Sequence, residues 1–184
     1  MIVLVRHAEA VAPSDSGYEE NDRPLAGAGR RDAEQLADEL SAEAVAAIYS
    51  SPYPRAVQTV EPLARRLGAE ISLVDDLRER LLSLRALPDW PDRLQLSWKD
   101  FGYAPEDGES SAEAQRRVTG VLATLRRRHP DTRIVVASHG NLIALALHAI
   151  VPDQVDFEFW AAMPTPAVYV LPGDGTVSGP GFGD

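Results

Sequence analysis

Two short apolar, β-branched runs end in histidines, and that pairing restricts the fold of this chain more than any other feature. Ile2-Val3-Leu4-Val5 runs directly into Arg6-His7, and Ile134-Val135-Val136-Ala137 runs into Ser138-His139-Gly140 and then an apolar helix. Continuous apolar runs of this length suit strands covered on both faces. Open α/β sheets bind ligands at the carboxyl ends of their strands, where loops and helix N-termini converge. The sequence therefore predicts one phosphate-handling site at the edge to which both runs point.

The rest of the chain alternates strands and helices. Ala33, Leu36, Ala37 and Leu40 fall at i, i+3, i+4, i+7 in a helix expected over about 26–40, and a strand follows at 45–49. Ser51-Pro52 reads as an N-cap with proline at the first helical position. The helix behind it is expected to bury Ala56, Val60, Leu63, Ala64 and Leu67, to stop at Gly68, and to be kinked by Pro62. A third strand is expected at 71–74. Ser110-Ser111-Ala112-Glu113 offers a capping box to a long helix, and Ala167 to Leu171 reads as a last strand at the sheet edge. The predicted fold is α/β, a three-layer α/β/α sandwich around a mostly parallel sheet with an antiparallel edge strand.

A chain of 184 residues with 45% hydrophobic content buries one good core, so a single domain is expected over 1–172. Residues 80–108, with Trp90, Trp98, Phe101 and Tyr103, read as an excursion that acts as a lid or specificity segment. Within it, Trp90 and Trp98 are assigned to the core. The Gly-, Pro- and Ser-rich stretch 173–184 reads as a loose tail.

The net charge of −10 argues against nucleic-acid and anionic-membrane partners. Cysteine is absent, which removes disulfides and thiolate chemistry. No apolar stretch is long enough to span a bilayer, and no basic leader precedes the first strand, so a cytoplasmic protein is expected. The histidines show no H-x-H or H-E-x-x-H spacing, and no metal site is expected. His129 at a helix end and His148 in an apolar helix read as structural.

The candidate residues recur with a spacing that resembles the histidine phosphatase superfamily, which includes the phosphoglycerate mutases. Leu4-Val5-Arg6-His7-Ala8-Glu9 is similar to its N-terminal signature, and Pro24-Leu25-Ala26 to Gly29 resembles the turn into its first helix. Tyr49-Ser50-Ser51-Pro52-Tyr53-Pro54-Arg55-Ala56 with Thr59 is similar to the segment that delivers a second arginine. Leu77-Arg78-Glu79, Gly108-Glu109-Ser110 with Arg117, and Ala137-Ser138-His139-Gly140-Asn141 complete the pattern.

The resemblance implies a fold and a set of roles. His7 would attack phosphorus and carry a phosphohistidine. Arg6, Arg55, the Gly140 backbone and a protonated or hydrogen-bonding His139 would hold the phosphoryl oxygens. Glu79 would give the leaving alkoxide a proton and then activate water. Its alternative reading is one acid in the charged run Asp75, Asp76, Arg78, Glu79, Arg80, and Glu109 is a rival proton donor. For Glu109 and Ser138 a supporting role is favoured, and Arg117 is read as an anchor for helix charge or for the Glu109 loop.

Ala8 stands where a glycine is common, and the loop over 10–16 lacks the tryptophan-asparagine pair of the mutase branch. Phosphomonoester hydrolysis without a metal or other cofactor, of the histidine acid type, is therefore the leading expectation. Phosphoglycerate mutase chemistry and a noncatalytic phospholigand-binding module stand as alternatives. The expected partner is a small phosphorylated substrate or a phosphoprotein.

Overall fold

The computed structural model describes residues 1–12, 19–83, 89–104 and 107–183. Five strands form one sheet in the order β3-β2-β4-β1-β5, with β1 at Ile2–Arg6, β2 at Ala47–Ser50, β3 at Ile71–Leu73, β4 at Ile134–Ser138 and β5 at Ala167–Leu171. The pairs β1 with β4, β4 with β2 and β2 with β3 are parallel, and β5 runs antiparallel to β1. This is the mostly parallel sheet with an antiparallel edge strand that the sequence predicts.

Six α-helices are described: α1 at Gly27–Leu40, α2 at Pro54–Leu67, α3 at Trp90–Lys99, α4 at Ser111–Arg128, α5 at Gly140–His148 and α6 at Phe157–Ala162. Side chains alternate across a strand, so each central strand feeds two cores. Ile2, Leu4, Ile134 and Val136 pack on one face with residues of α4 and α5. Val3, Val5, Val135 and Ala137 pack on the other with α1 and α2. Both faces being covered explains why β4 is buried at every position and reads as an uninterrupted apolar run.

Several local expectations shift. Helix α2 begins at Pro54 with Tyr53 as its N-cap, two residues later than Ser51-Pro52 implies, with Ser51 in the turn before it and bonded to His139. It runs unbroken through the buried Pro62. Trp98 packs against the core beside Phe101 and His148, as expected. Trp90 does not: it is 52% exposed at the first residue of α3, a full turn before Leu94, where the buried face of that helix begins.

The C-terminal stretch also departs from expectation. Ser178 exchanges both backbone hydrogen bonds with Val170 of β5, and the Phe182 ring packs on Phe159 and Tyr169. Residues 173–183 thus lie along the outer edge of β5 and are not a loose tail, because an edge strand has unpaired N–H and C=O groups to offer. Residues 84–88 and 105–106 of the expected lid, residues 13–18 of the loop after β1 and the last residue of the tail lie outside the described residues. Among the described residues no helix is long and apolar enough to cross a membrane.

Candidate active site

The register of the sheet places the two histidines side by side. Arg6 pairs with Ser138 across parallel neighbours, so the residues that follow them, His7 and His139, leave adjacent strands at the same level. Their ring centroids are 5.3 Å apart. Arg55 arrives from the first turn of α2, and its Nε donates toward His7 Nε2 at 3.3 Å. The three predicted residues meet at one point from segments far apart in sequence.

His7 is oriented by its own backbone turn. Its Nδ1 lies 2.7 Å from the Ala8 carbonyl, which fixes the proton on Nδ1 and leaves the Nε2 lone pair facing the Arg55 guanidinium. Burial, with the positive charges of Arg55, Arg6 and Arg23, pushes the His7 pKa down to about 3 despite the Ala8 contact. The imidazole is neutral across the physiological range. The turn is pinned from behind, since Thr59 Oγ1 accepts from the Ala8 N–H at 2.9 Å and donates to the Arg55 carbonyl at 2.7 Å.

His139 is fully buried and its pKa is held well below the ordinary value by that burial and by Arg55 and His7 nearby. Of the two forms expected for it, protonated or hydrogen-bonding, the burial favours the neutral, hydrogen-bonding ring. Its Nε2 lies 2.8 Å from Ser51 Oγ. Ser51 Oγ also accepts from the Tyr53 N–H at 3.3 Å, which ties the His139 ring to the turn before α2. His139 Nδ1 is buried without a partner among the described residues. Arg6 Nε and both polar atoms of the Asn141 side chain are likewise buried and unpartnered. Buried polar groups are normally satisfied, and a group of donors gathered at one strand end in this way suits an anion as the shared partner.

The two arginines are held differently. Arg6 lies on the α5 side of the sheet, its Nη1 donating to the Met163 and Pro164 carbonyls. A Cβ on Gly140 would stand 3.0 Å from the Arg6 guanidinium carbon, so a glycine at the start of α5 lets that group lie flat against the backbone. Arg55 is 2% exposed, donates from Nη1 to the Glu20 carbonyl at 2.7 Å, and lies over the Tyr53 ring. The Glu20 carboxylate, exposed and bound to Arg23, stands 3.4 Å from Arg55 Nη2.

Glu79 is not part of a solvated charge run. Its Oε1 accepts from the N–H groups of Arg80 at 2.8 Å and Leu142 at 3.0 Å, and its Oε2 from the Asn141 N–H at 3.1 Å. It caps the N-terminus of α5, where free N–H groups and the helix dipole favour a carboxylate. Two of the amides next to Gly140 that were expected to hold phosphate are thus occupied by Glu79. Ser138 donates from Oγ to the Leu77 carbonyl at 2.8 Å, tying β4 to the segment that leads into Glu79. Glu109 forms a two-pronged pair with Arg117, so Arg117 is engaged with the Glu109 loop.

Sequence reading missed Ser51, Tyr53 and Asn141 as parts of this site. Ser51 carries the signal of a helix start and Asn141 that of a helix interior; Tyr53, whose ring packs edge-to-face with His139 at a centroid separation of 5.1 Å, has no signal of its own. His129, bonded to the Tyr49 hydroxyl at 2.9 Å, and His148, bonded to the Val155 carbonyl at 2.7 Å, stay outside the site.

Known proteins resemble this chain over most of its length. The chain is 32% identical over 148 residues to phosphoserine phosphatase 1 of Hydrogenobacter thermophilus, covering 75% of this chain and 70% of that protein. It is 32% identical over 154 residues to phosphoglycerate mutase-like protein 4 of Arabidopsis thaliana, covering 77% and 67% respectively. The native structure of a mycobacterial glucosyl-3-phosphoglycerate phosphatase superposes with a TM-score of 0.75 at 25% identity, over 91% of this chain and 87% of that one. The profile of the histidine phosphatase superfamily (branch 1) matches residues 2–176, and the chain belongs to that family.

Proposed function

We propose that this chain is a metal-independent phosphomonoester hydrolase that works through a phosphohistidine on His7. The observation that carries the reading is the state of His7: a neutral ring, tautomer fixed by Ala8, with the Nε2 lone pair aimed into a ring of fixed positive charge. A phospholigand-binding module has no use for a nucleophile so prepared. Relatives named as phosphatases support a phosphatase activity.

In the proposed reaction His7 Nε2 attacks phosphorus in line as the ester P–O bond breaks. Arg6, Arg55, His139 and the Gly140 backbone hold the phosphoryl oxygens, where charge accumulates. Glu79 delivers a proton to the departing alkoxide. Its Oε2 accepts a single N–H and keeps a second lone pair on which that proton can ride. A water molecule then loses its proton to Glu79 and attacks phosphorus, the N–P bond breaks, and orthophosphate and the neutral ring are regenerated. The segment around α3 is proposed as the cap that selects the organic part of the substrate, a small phosphomonoester.

Turnover of p-nitrophenyl phosphate in EDTA tests the reading. Activity is expected in the wild type and absent in His7→Ala, with an acid-labile phosphoenzyme trapped by rapid quench of the wild type. Persistent turnover in His7→Ala would remove His7 from the mechanism. The mutase-named relatives keep one competing reading open to the same assay, and interconversion of phosphoglycerates without phosphate release would establish it.

A further inference from the structure

Around Glu79 the backbone is held from both sides by one residue. Glu109 binds Arg117 through both carboxylate oxygens, at 2.8 and 2.7 Å, with the two side chains 21% and 12% exposed. Arg117 Nη1 then donates to the carbonyls of Asp76 at 2.6 Å and Arg78 at 3.1 Å, immediately before Glu79 in the chain. On the far side, the Glu109 carbonyl accepts from Arg80 Nε at 2.8 Å, and the Glu109 N–H donates to the Leu81 carbonyl at 2.7 Å. Glu109 thus holds positions 80 and 81 directly, through its carbonyl and amide, and positions 76 and 78 by way of Arg117, on either side of position 79.

The same knot reaches the helix proposed as the substrate cap. Arg80, 5% exposed, donates from Nη1 to Ser97 Oγ of α3 at 2.6 Å, and the Ser97 carbonyl accepts from Ser111 Oγ at 2.7 Å. The approach of the two segments is close enough to require a glycine: a Cβ on Gly108 would stand 2.2 Å from the Leu82 carbonyl oxygen. Burying the Arg80 cation against a neutral carbonyl and a hydroxyl, with Nη2 left unpartnered, is an expensive arrangement for a surface loop.

We infer that Glu109, acting through Arg117, is the positioning residue that sets Glu79 against the leaving group. The inference rests on the reading of Glu79 as proton donor. It separates the two glutamates that sequence alone left as rivals: Glu79 faces the reacting atoms through α5, and Glu109 holds Glu79. Arg117, engaged with a carboxylate and two carbonyls, is not available to the phosphoryl group.

The test compares β-glycerophosphate, whose alkoxide needs a proton to leave, with p-nitrophenyl phosphate, whose phenolate does not. Misplacing a catalytic group by about 1 Å costs on the order of 10²-fold. Because kcat/KM reports only transfer to His7 with release of the alcohol, and not the water step that both substrates share, it is the quantity compared: Glu109→Gln and Arg117→Lys are expected to lower kcat/KM for β-glycerophosphate by roughly that factor, with little loss of kcat/KM toward p-nitrophenyl phosphate. Glu79→Gln is expected to show the same asymmetry in larger degree. An equal loss on both substrates, or no loss, in both Glu109→Gln and Arg117→Lys while Glu79→Gln stays asymmetric would overturn the positioning role alone. Symmetric behaviour of Glu79→Gln would overturn the reading of Glu79 beneath it. Arg117→Lys serves where Glu109→Gln fails to fold, since it keeps the charge and loses only the fork that grips the carboxylate.

Discussion

The nucleophilic role proposed for His7 depends on its refusing a proton, and that refusal has a thermodynamic cost. Its folded pKa of about 3 lies below the ordinary histidine value of 6.5. Between those limits the unfolded chain takes up a proton that the native state rejects, so stability falls as pH falls through 6.5 and rises with pH across the same window. His139, also held neutral by burial, acts in the same direction. Replacing His7 with Asn is expected to flatten the dependence of unfolding free energy on pH between 6.5 and 5 by about 1 kcal/mol per pH unit. Urea denaturation at a series of pH values measures it, and an undiminished slope would show that His7 accepts its proton in the native state. At this scale the sequence speaks through residue type and junction: Arg6, His7, Arg55 and His139 are each a functional side chain at a strand or helix boundary. Ser51 is silent because its partner is 88 positions away, and a local helix-start signal explains it completely without that partner.

Among the elements, the short 3₁₀ turn at Glu20–Asp22 is the one that competes with substrate. Its first residue brings an exposed carboxylate to within 3.4 Å of Arg55 and binds Arg23. An incoming phosphate must displace that carboxylate or share the guanidinium with it. Glu20 is itself exposed, so water screens its pull on the buried Arg55 to about 0.2–1 kcal/mol, and Glu20→Gln is expected to lower KM for a phosphomonoester by roughly 1.5-fold to fivefold with kcat little changed. Steady-state kinetics at low salt decide it, and an increased KM would mean that Glu20 assists binding. The long elements were legible. The capping box at Ser110 and Glu113 forms as the residues imply, and β5 occupies the residues assigned to it. Helix α2 starts two residues late, at Pro54, with Ser51 in the turn before it and bonded to His139. Tertiary demand overrides the local signal there.

For the molecule as a whole, the least legible feature is the end of the chain. Glycine, proline and serine in succession carry no periodicity, yet the segment 173–183 covers β5 and Phe182 fills a gap beside Phe159 and Tyr169. Only a sheet edge with free backbone groups gives such a segment a place to lie, and that edge exists only after β5 has paired. Phe182→Ala is expected to cost about 1–2 kcal/mol, because the ring is half-buried. Calorimetry would then record a Tm lower by roughly 2–8 °C. An unchanged Tm would mean that the segment is detached in solution. The Tyr169 hydroxyl, whose pKa burial raises to about 12, stays a neutral donor near Arg6 and shares the protection of this segment.

Nucleophile and partner ring hang from neighbouring strands whose spacing is the repeat distance of every β-sheet, roughly 4.8 Å. A ruler of that kind does not bend with temperature, ligand or surface mutation, and no loop exchange recalibrates it. On the proposed reading, what chooses the organic portion of a substrate is carried outside the sheet, by the segment around α3. Such a chassis can trade one metabolite for another by rewriting the rim while the phosphorus-handling gauge is inherited unchanged.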